Sequence, residues 1–199
     1  MPADQVIAFF VFALVAAGTP GPSNVLLTTA GANLGILRGL PTVFGVSLGM
    51  GVMLFLVAFG LGGLLLDSPT VLEGGLRWGG GAFLLWMAYK IATAEGGPGA
   101  KAYWALGFLP AAAFQWVNPK SWLVSASAAA TYLDPAAQGA SGAALALAGV
   151  FVAAALPSCL AWLSFGAAIQ RFLHSERRLR RFNLVMGTLL AGSVLWILF

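Results

Sequence analysis

Long uncharged stretches separated by short charged segments dominate this chain of 199 residues. A helix needs about 20 apolar residues to cross the hydrocarbon core of a membrane. The pattern fits six predicted spans, at roughly residues 6–32, 41–66, 71–92, 106–131, 143–167 and 181–199. It therefore predicts an all-α integral membrane protein of six transmembrane helices. The loops between the spans are short, so we expect a single transmembrane domain over residues 1–199.

Prolines interrupt the first and fourth predicted spans. The first is broken at Thr19-Pro20-Gly21-Pro22-Ser23-Asn24, and the fourth at Asn118-Pro119-Lys120. Proline lacks an N–H and clashes with the preceding turn, so neither span is an unbroken helix. Freed backbone groups at membrane depth need partners in protein or in a water-filled cavity. Each break therefore indicates a place where a polar solute meets the backbone.

The two breaks divide the sequence into similar halves, about residues 1–95 and 101–199. Each half holds one broken span followed by two unbroken ones. Because three spans per half is an odd number, the second half enters the membrane inverted. This three-plus-three inverted repeat is the plan of many secondary transporters, in which paired broken helices mark the binding site.

The basic residues favour one orientation in the membrane. Eight of the ten cations fall in alternate loops: Arg38, Lys90, Lys101, Arg171, Arg177, Arg178, Arg180 and Arg181. The opposite loops hold Arg77, while Lys120 lies inside a span. Short loops rich in Lys and Arg stay cytoplasmic, so both termini are expected outside. The net charge of +4 then reflects topology, and nucleic acid is not an expected partner.

Composition excludes several classes of protein. The chain is 60% hydrophobic and 8% charged, with a mean hydropathy of +0.91, whereas globular domains carry about 25% charged residues. The lone cysteine, Cys159, excludes an intramolecular disulfide and is expected to pack in the core. No acidic residue falls in the interior of a predicted span, since Glu73 lies at the outer end of the third, and the one histidine, His174, lies in the basic loop. We therefore expect no metal site, no cofactor and no enzyme active site.

Lys120 is the sharpest functional candidate, because an ionisable group at membrane depth is costly and indicates function. It could meet a substrate carboxylate as an ammonium, or carry a coupling proton. The alternative is snorkelling toward the interface, which the apolar residues on both sides of Lys120 disfavour.

Two amides accompany the breaks. Asn24 and Asn118 can bind a zwitterion or satisfy the freed backbone, and both roles stay open. Thr19, Ser23 and Ser121 can do the same more weakly. The half-helices that follow the breaks are expected to point free N–H groups at the cavity, where their dipoles favour a carboxylate.

A run of glycines follows the first break, at Gly35, Gly39, Gly45 and Gly49. The first pair lies near the expected cytoplasmic turn, and the second pair forms a small-residue face on the second span. Such faces let helices approach closely in lipid. We interpret them as packing positions, some of which permit motion between the halves. They allow a homodimer but do not require one.

Together these motifs resemble the LysE/RhtB-type amino-acid exporters. The resemblance rests on Pro20-Gly21-Pro22, the glycine run and Asn118-Pro119-Lys120, with residues 80–86 and Gly187 also similar. It covers essentially the whole chain. It implies a small bacterial inner-membrane protein that exports amino acids and related metabolites, driven by the proton gradient or the membrane potential. A carboxylate-based proton coupling does not carry over, because this chain has no carboxylate in the interior of a predicted span.

We therefore expect efflux of a small zwitterionic solute, an amino acid or related metabolite, by alternating access. The candidate substrate-binding residues are Thr19, Pro20, Gly21, Pro22, Ser23, Asn24, Asn118, Pro119 and Lys120. One alternative is a metal-ion permease or passive channel. Another is a membrane enzyme or assembly protein that transports no solute.

Overall fold

The computed structural model describes residues 1–61, 78–94, 106–133, 140–173 and 175–198. Within these residues the chain is helical throughout, with no strand. The α-helices are α1 (Ala3–Gly18), α2 (Pro22–Leu56), α3 (Gly80–Ala92), α4 (Phe108–Val117), α5 (Pro119–Tyr132), α6 (Ala140–Gln170) and α7 (Glu176–Leu198). A π-helical turn, Val57–Leu61, extends α2.

Some sequence predictions fall outside the described residues. These are the end of the second predicted span, the start of the third, and the positions of Arg77, Lys101 and His174. Two helical segments in the described residues are long and apolar enough to cross a membrane, residues 22–60 and 141–170. Two shorter apolar helices, Ala3–Gly18 and Phe108–Val117, accompany them. The predicted all-helical class agrees with the structure, whereas the division into six spans stays a prediction.

Gly35 turns α2 back on itself. Its backbone has φ 74° and ψ −176°, a left-handed region that glycine enters without a steric penalty. Gly31 and Gly39, four positions to either side, both lie against Leu163 of α6. The two parts of α2 therefore run past the same point of α6 in opposite directions. The turn lies between the predicted spans 6–32 and 41–66.

The core forms where α2 and α6 meet the other helices. One cluster of buried side chains joins α2, α3, α4, α6 and α7 through Leu26, Leu84, Phe114, Leu163 and Leu190. A second joins α1, α2, α5 and α6 through Phe9, Leu54, Ala128 and Phe151. Many large apolar side chains remain exposed, Leu37 by 82% and Leu109 by 75%. An apolar surface of this kind suits contact with lipid.

Glycines set the closest helix crossings. A Cβ added at Gly31 would lie under 3.0 Å from the backbone of Leu163, and one at Gly166 under 3.0 Å from the backbone of Thr28. The backbones of α2 and α6 therefore touch without side chains between them. Gly45 and Gly49 lie in the same way against Phe108 and Ala112 of α4. These are the positions that the sequence assigned to a small-residue face.

We expect Gly31→Ala to lower the free energy of unfolding by about 1–3 kcal/mol, because the added methyl meets backbone that cannot give way. Gly149→Ala is the matched control on α6, since a Cβ there meets nothing within 4 Å. Reversible unfolding in mixed detergent micelles measures both. Equal stabilities of the two variants would contradict a tight crossing at Gly31.

Candidate functional site

Both predicted helix breaks are present in the structure. Helix α1 ends at Gly18 and α2 begins at Pro22, while α4 ends at Val117 and α5 begins at Pro119. In an α-helix each N–H bonds the carbonyl four residues earlier. Pro20 and Pro22 therefore remove the donors for the carbonyls of residues 16 and 18, and Pro119 removes the donor for that of residue 115.

Side chains replace the missing donors at the end of α1. Asn24 Nδ2 donates to the carbonyl oxygens of Ala17, at 3.2 Å, and Thr19, at 2.8 Å. Trp162 Nε1, from α6, donates to the carbonyl oxygen of Gly18 at 3.2 Å. Of the two roles that the sequence left open for Asn24, satisfying the freed backbone is the one seen here. Solute binding by Asn24 stays a prediction.

The second break is repaired from within its own segment. Trp122 Nε1 donates to the carbonyl oxygen of Trp116 at 2.7 Å, and the Asn118 side-chain oxygen accepts the Lys120 backbone N–H at 3.2 Å. Asn118 is thus the N-cap of α5, a position where asparagine is favoured. The expected free N–H after Pro119 is therefore not free at Lys120, because the side chain of Asn118 caps it.

A buried amide, Gln115, connects the two breaks. Its side-chain oxygen accepts from Ser23 Oγ at 3.1 Å and from Ser121 Oγ at 3.0 Å. Asn118 Nδ2 in turn donates to Ser23 Oγ at 3.1 Å. The Gln115 amide nitrogen donates to the carbonyl oxygen of Ala111 at 3.0 Å. The first half-helix of α2 is thereby hydrogen-bonded to α4 and α5.

Lys120 reaches across from the second break to the first. Its Nζ donates to the carbonyl oxygen of Thr19 at 2.5 Å. A Cβ at Gly21 would lie 3.1 Å from Lys120 Cδ and 3.3 Å from Nζ, so glycine leaves room for this side chain. Among the described residues, the carboxylates belong to Asp4 and Glu176, which are exposed at the starts of α1 and α7. Within that part of the chain, Lys120 has no anionic partner.

These groups surround a small cavity that is partly open to the outside of the molecule. Its polar lining comes from both breaks: Gly21, Ser23, Asn24, Gln115, Asn118, Lys120 and Ser121. The remaining lining is apolar and includes Val46, Met50, Phe151 and Cys159. The cavity therefore joins a polar wall with several hydrogen-bonding groups to an apolar one.

The structure brings most of the predicted site residues together. Gly21, Ser23, Asn24, Asn118 and Lys120 line the cavity, and Thr19 contributes the carbonyl that holds Lys120. The three prolines create the breaks without lining the cavity, and the glycine run lies outside the lining.

Sequence reasoning left Gln115 out of the site. Its one available signal was its isolation, because it is the single Gln in the uncharged window 102–119 and precedes Asn118 by three positions. Cys159 was expected in the core, and it is buried there and also lines the cavity.

Broken helices that meet at a polar cavity inside an apolar helical bundle are typical of membrane transporters. The chain matches the LysE type translocator family over residues 14–198, and it belongs to that family. The predicted resemblance is confirmed. Members of the family are bacterial multi-pass inner-membrane transporters, so the protein is a transmembrane translocator rather than a member of an enzyme family.

Several characterised proteins are similar along most of the chain. The cysteine/O-acetylserine efflux protein of Salmonella typhimurium (strain LT2) is 31% identical over 187 residues, covering 92% of each chain. That of Escherichia coli (strain K12) is 31% identical over 189 residues, again covering 92% of each. The Klebsiella pneumoniae protein of the same name is 32% identical over 136 residues, or 68% of each chain. No solved structure matches the chain.

We expect Gln115→Leu to destabilise the protein by about 1–3 kcal/mol, because the Ser23 and Ser121 hydroxyls lose their acceptor in a buried setting. Gln5→Leu, at an exposed glutamine of α1, is the control. Thermal unfolding in detergent compares the two variants. An unchanged midpoint for Gln115→Leu would show that the network contributes nothing to stability.

Proposed function

We propose that this protein exports small zwitterionic amino acids across the bacterial inner membrane, with cysteine and O-acetylserine as the first solutes to test. The observation that carries the proposal is Lys120, a cation without a carboxylate partner among the described residues, at a cavity lined from both helix breaks. The names of the similar efflux proteins supply the choice of solutes. Energy comes from the proton gradient or the membrane potential.

Lys120 is the proposed partner of the solute carboxylate. An ammonium that leaves water without a counter-ion carries a desolvation penalty, which a bound anion relieves. The α2 and α5 N-termini lie beside the cavity, and the positive ends of their dipoles add to this attraction. Ser23 and Asn118 supply neutral hydrogen-bonding groups next to the same position. The apolar part of the lining receives the solute side chain.

The proposed architecture is six spans arranged as a three-plus-three inverted repeat, with halves at about residues 1–95 and 101–199 and both termini in the periplasm. Its support is that a break from each half contributes to one cavity. Movement of one half against the other would then expose the cavity alternately to the two sides. Gly35, Gly39, Gly45 and Gly49 are the proposed packing or hinge positions, and their small faces leave a homodimer in the bilayer open.

We expect Lys120→Ala to reduce transport at least about tenfold, because loss of a hydrogen bond to a charged group costs about 1.5–3 kcal/mol. The measurement is counterflow in proteoliposomes that hold unlabelled L-cysteine and reductant, with labelled L-cysteine outside. Lys90→Ala is the matched control, since Lys90 lies 6.0 Å from the Trp86 ring, away from the cavity lining. Thermal unfolding in detergent establishes that both variants are folded.

Retained transport by Lys120→Ala, with unchanged affinity, would contradict the role of Lys120. If no amino acid in a full panel shows counterflow, the proposed solute class is overturned. Single-channel currents in planar bilayers would show that the protein is a channel and not a carrier.

A further inference from the structure

We propose that the carbonyl end of α1 binds the ammonium group of the solute, and that the Lys120 ammonium competes with it for this place. The proposal rests on the proposed function, because it assigns the second charge of the same zwitterion. The subsite is formed by backbone atoms, so it cannot be recognised from a charged side chain. Four observations lead to it.

The first observation is a cluster of carbonyl oxygens that the breaks leave without helical donors. Ala17 and Gly18 end α1 and Thr19 is its C-cap, and each of their carbonyls accepts a side-chain hydrogen bond instead. The carbonyl end of a helix carries about half a negative charge. The cluster is therefore an acceptor site that favours a cation. Ala16 and Ala17, from the same turn, line the cavity.

The second observation concerns which donors occupy the cluster. Asn24 and Trp162 are neutral, and their bonds fix the orientation of the carbonyls. Lys120 is the one cationic donor recorded at the cluster within the described residues, and it comes from the opposite break. Its ammonium thus shows that the position accommodates a primary ammonium group at hydrogen-bond distance from Thr19.

The third observation is the shape of the path that Lys120 takes. The side chain passes Gly21, where a Cβ would lie 3.3 Å from its Nζ. Both Gly21 and Lys120 line the cavity, so this side chain forms part of the cavity wall, and its bond to Thr19 lies in an exposed part of the structure. Lysine has four rotatable side-chain bonds and one compact charge. It can therefore turn toward a carboxylate in the cavity without any change in the helices.

The fourth observation is the charge of the cavity lining. Among the described residues that line it, Lys120 is the only charged side chain. An incoming ammonium therefore finds no carboxylate there, and the carbonyl end of α1, where Ala16 and Ala17 line the cavity, offers it acceptors at the negative end of a helix dipole. An amine without a carboxylate would meet the like charge of Lys120. An acid without an ammonium would draw Lys120 away and leave the α1 end without a cation.

A zwitterion avoids both penalties by exchange of partners. Its carboxylate pairs with Lys120, which releases the Thr19 carbonyl, and its own ammonium takes the released position. Every charge is then paired, and no net charge is added to the cavity. The exchange selects solutes that carry both charges at a short spacing, without any acidic side chain.

The wild-type protein tests the proposal through competition with L-cysteine counterflow. Two analogues each lack one charged group: 3-mercaptopropionate has no ammonium and cysteamine has no carboxylate. We expect each to compete at least about tenfold more weakly than L-cysteine, because a charge-assisted hydrogen bond is lost. Equal competition by 3-mercaptopropionate would overturn the ammonium subsite and leave the proposed export intact. Absence of counterflow for every amino acid would overturn both.

The variant Lys120→Met distinguishes two roles of the Lys120 ammonium: competition with the solute ammonium, and a purely structural cap on the end of α1. Removing the internal ammonium frees the α1 end and removes the like charge, so labelled cysteamine should bind at least about tenfold more tightly than to wild type. Binding to detergent-solubilised protein by scintillation proximity measures this without transport. Lys90→Met is the control and should bind as wild type does. Unchanged or weaker cysteamine binding by folded Lys120→Met would overturn the proposal, and if that variant does not fold, the wild-type competition series decides.

An inorganic cation is the other source of positive charge for these carbonyls. Repeating the series with choline in place of sodium and potassium distinguishes the two. We expect the difference between L-cysteine and 3-mercaptopropionate to persist. Its disappearance together with a loss of cysteine exchange would assign the carbonyls to a metal cation and overturn the proposal.

Discussion

A backbone carbonyl that loses its N–H partner at membrane depth has to find another donor, and the site of this protein follows from that requirement. Pro20, Pro22 and Pro119 remove three such donors from two helices. At the breaks, side chains of α2, α5 and α6 donate to the carbonyls of Ala17, Trp116 and Gly18, which draws distant polar side chains to these places. Repair of the breaks and construction of the cavity therefore share Asn24, Asn118 and Lys120, and a substitution at any of these three changes both.

In the described part of the chain, no acidic side chain neutralises the positive charge at the site. The Lys120 ammonium lies against the carbonyl end of α1, where the helix dipole compensates part of its charge. Neutral amides and hydroxyls complete the polar wall, and Gln115 ties them to one another. Fully hydrogen-bonded networks of this kind hold their members in fixed orientations. The lining beyond them, with Val46, Met50 and Phe151, offers dispersion contacts to a short apolar group.

The parts of the structure that follow from local chemistry could be predicted from the sequence. Proline removes a backbone N–H donor wherever it stands, and the clustered Pro20-Gly21-Pro22 and Asn118-Pro119 motifs identified both breaks, whereas the single Pro157 lies within α6 without ending it. The turn at Gly35 falls in the gap that hydropathy left between two predicted spans. Gln115 was missed because one amide in an apolar window has no periodicity, and its partner Ser23 lies 92 positions away. The roles of Asn24 and Trp162 depend likewise on which helix packs beside the break, which no local pattern specifies.

The crossing of Gly31 and Gly166 joins a helix from the first part of the chain to one from the last. Because backbone meets backbone there, the two helices can tilt about the crossing but cannot translate past it without driving atoms together. In mechanical terms the crossing is a fulcrum. A small tilt there becomes a larger sideways displacement at the start of α2 and at the far end of α6, in proportion to their distance from it. The distance from the crossing to the helix ends therefore sets the size of any such displacement.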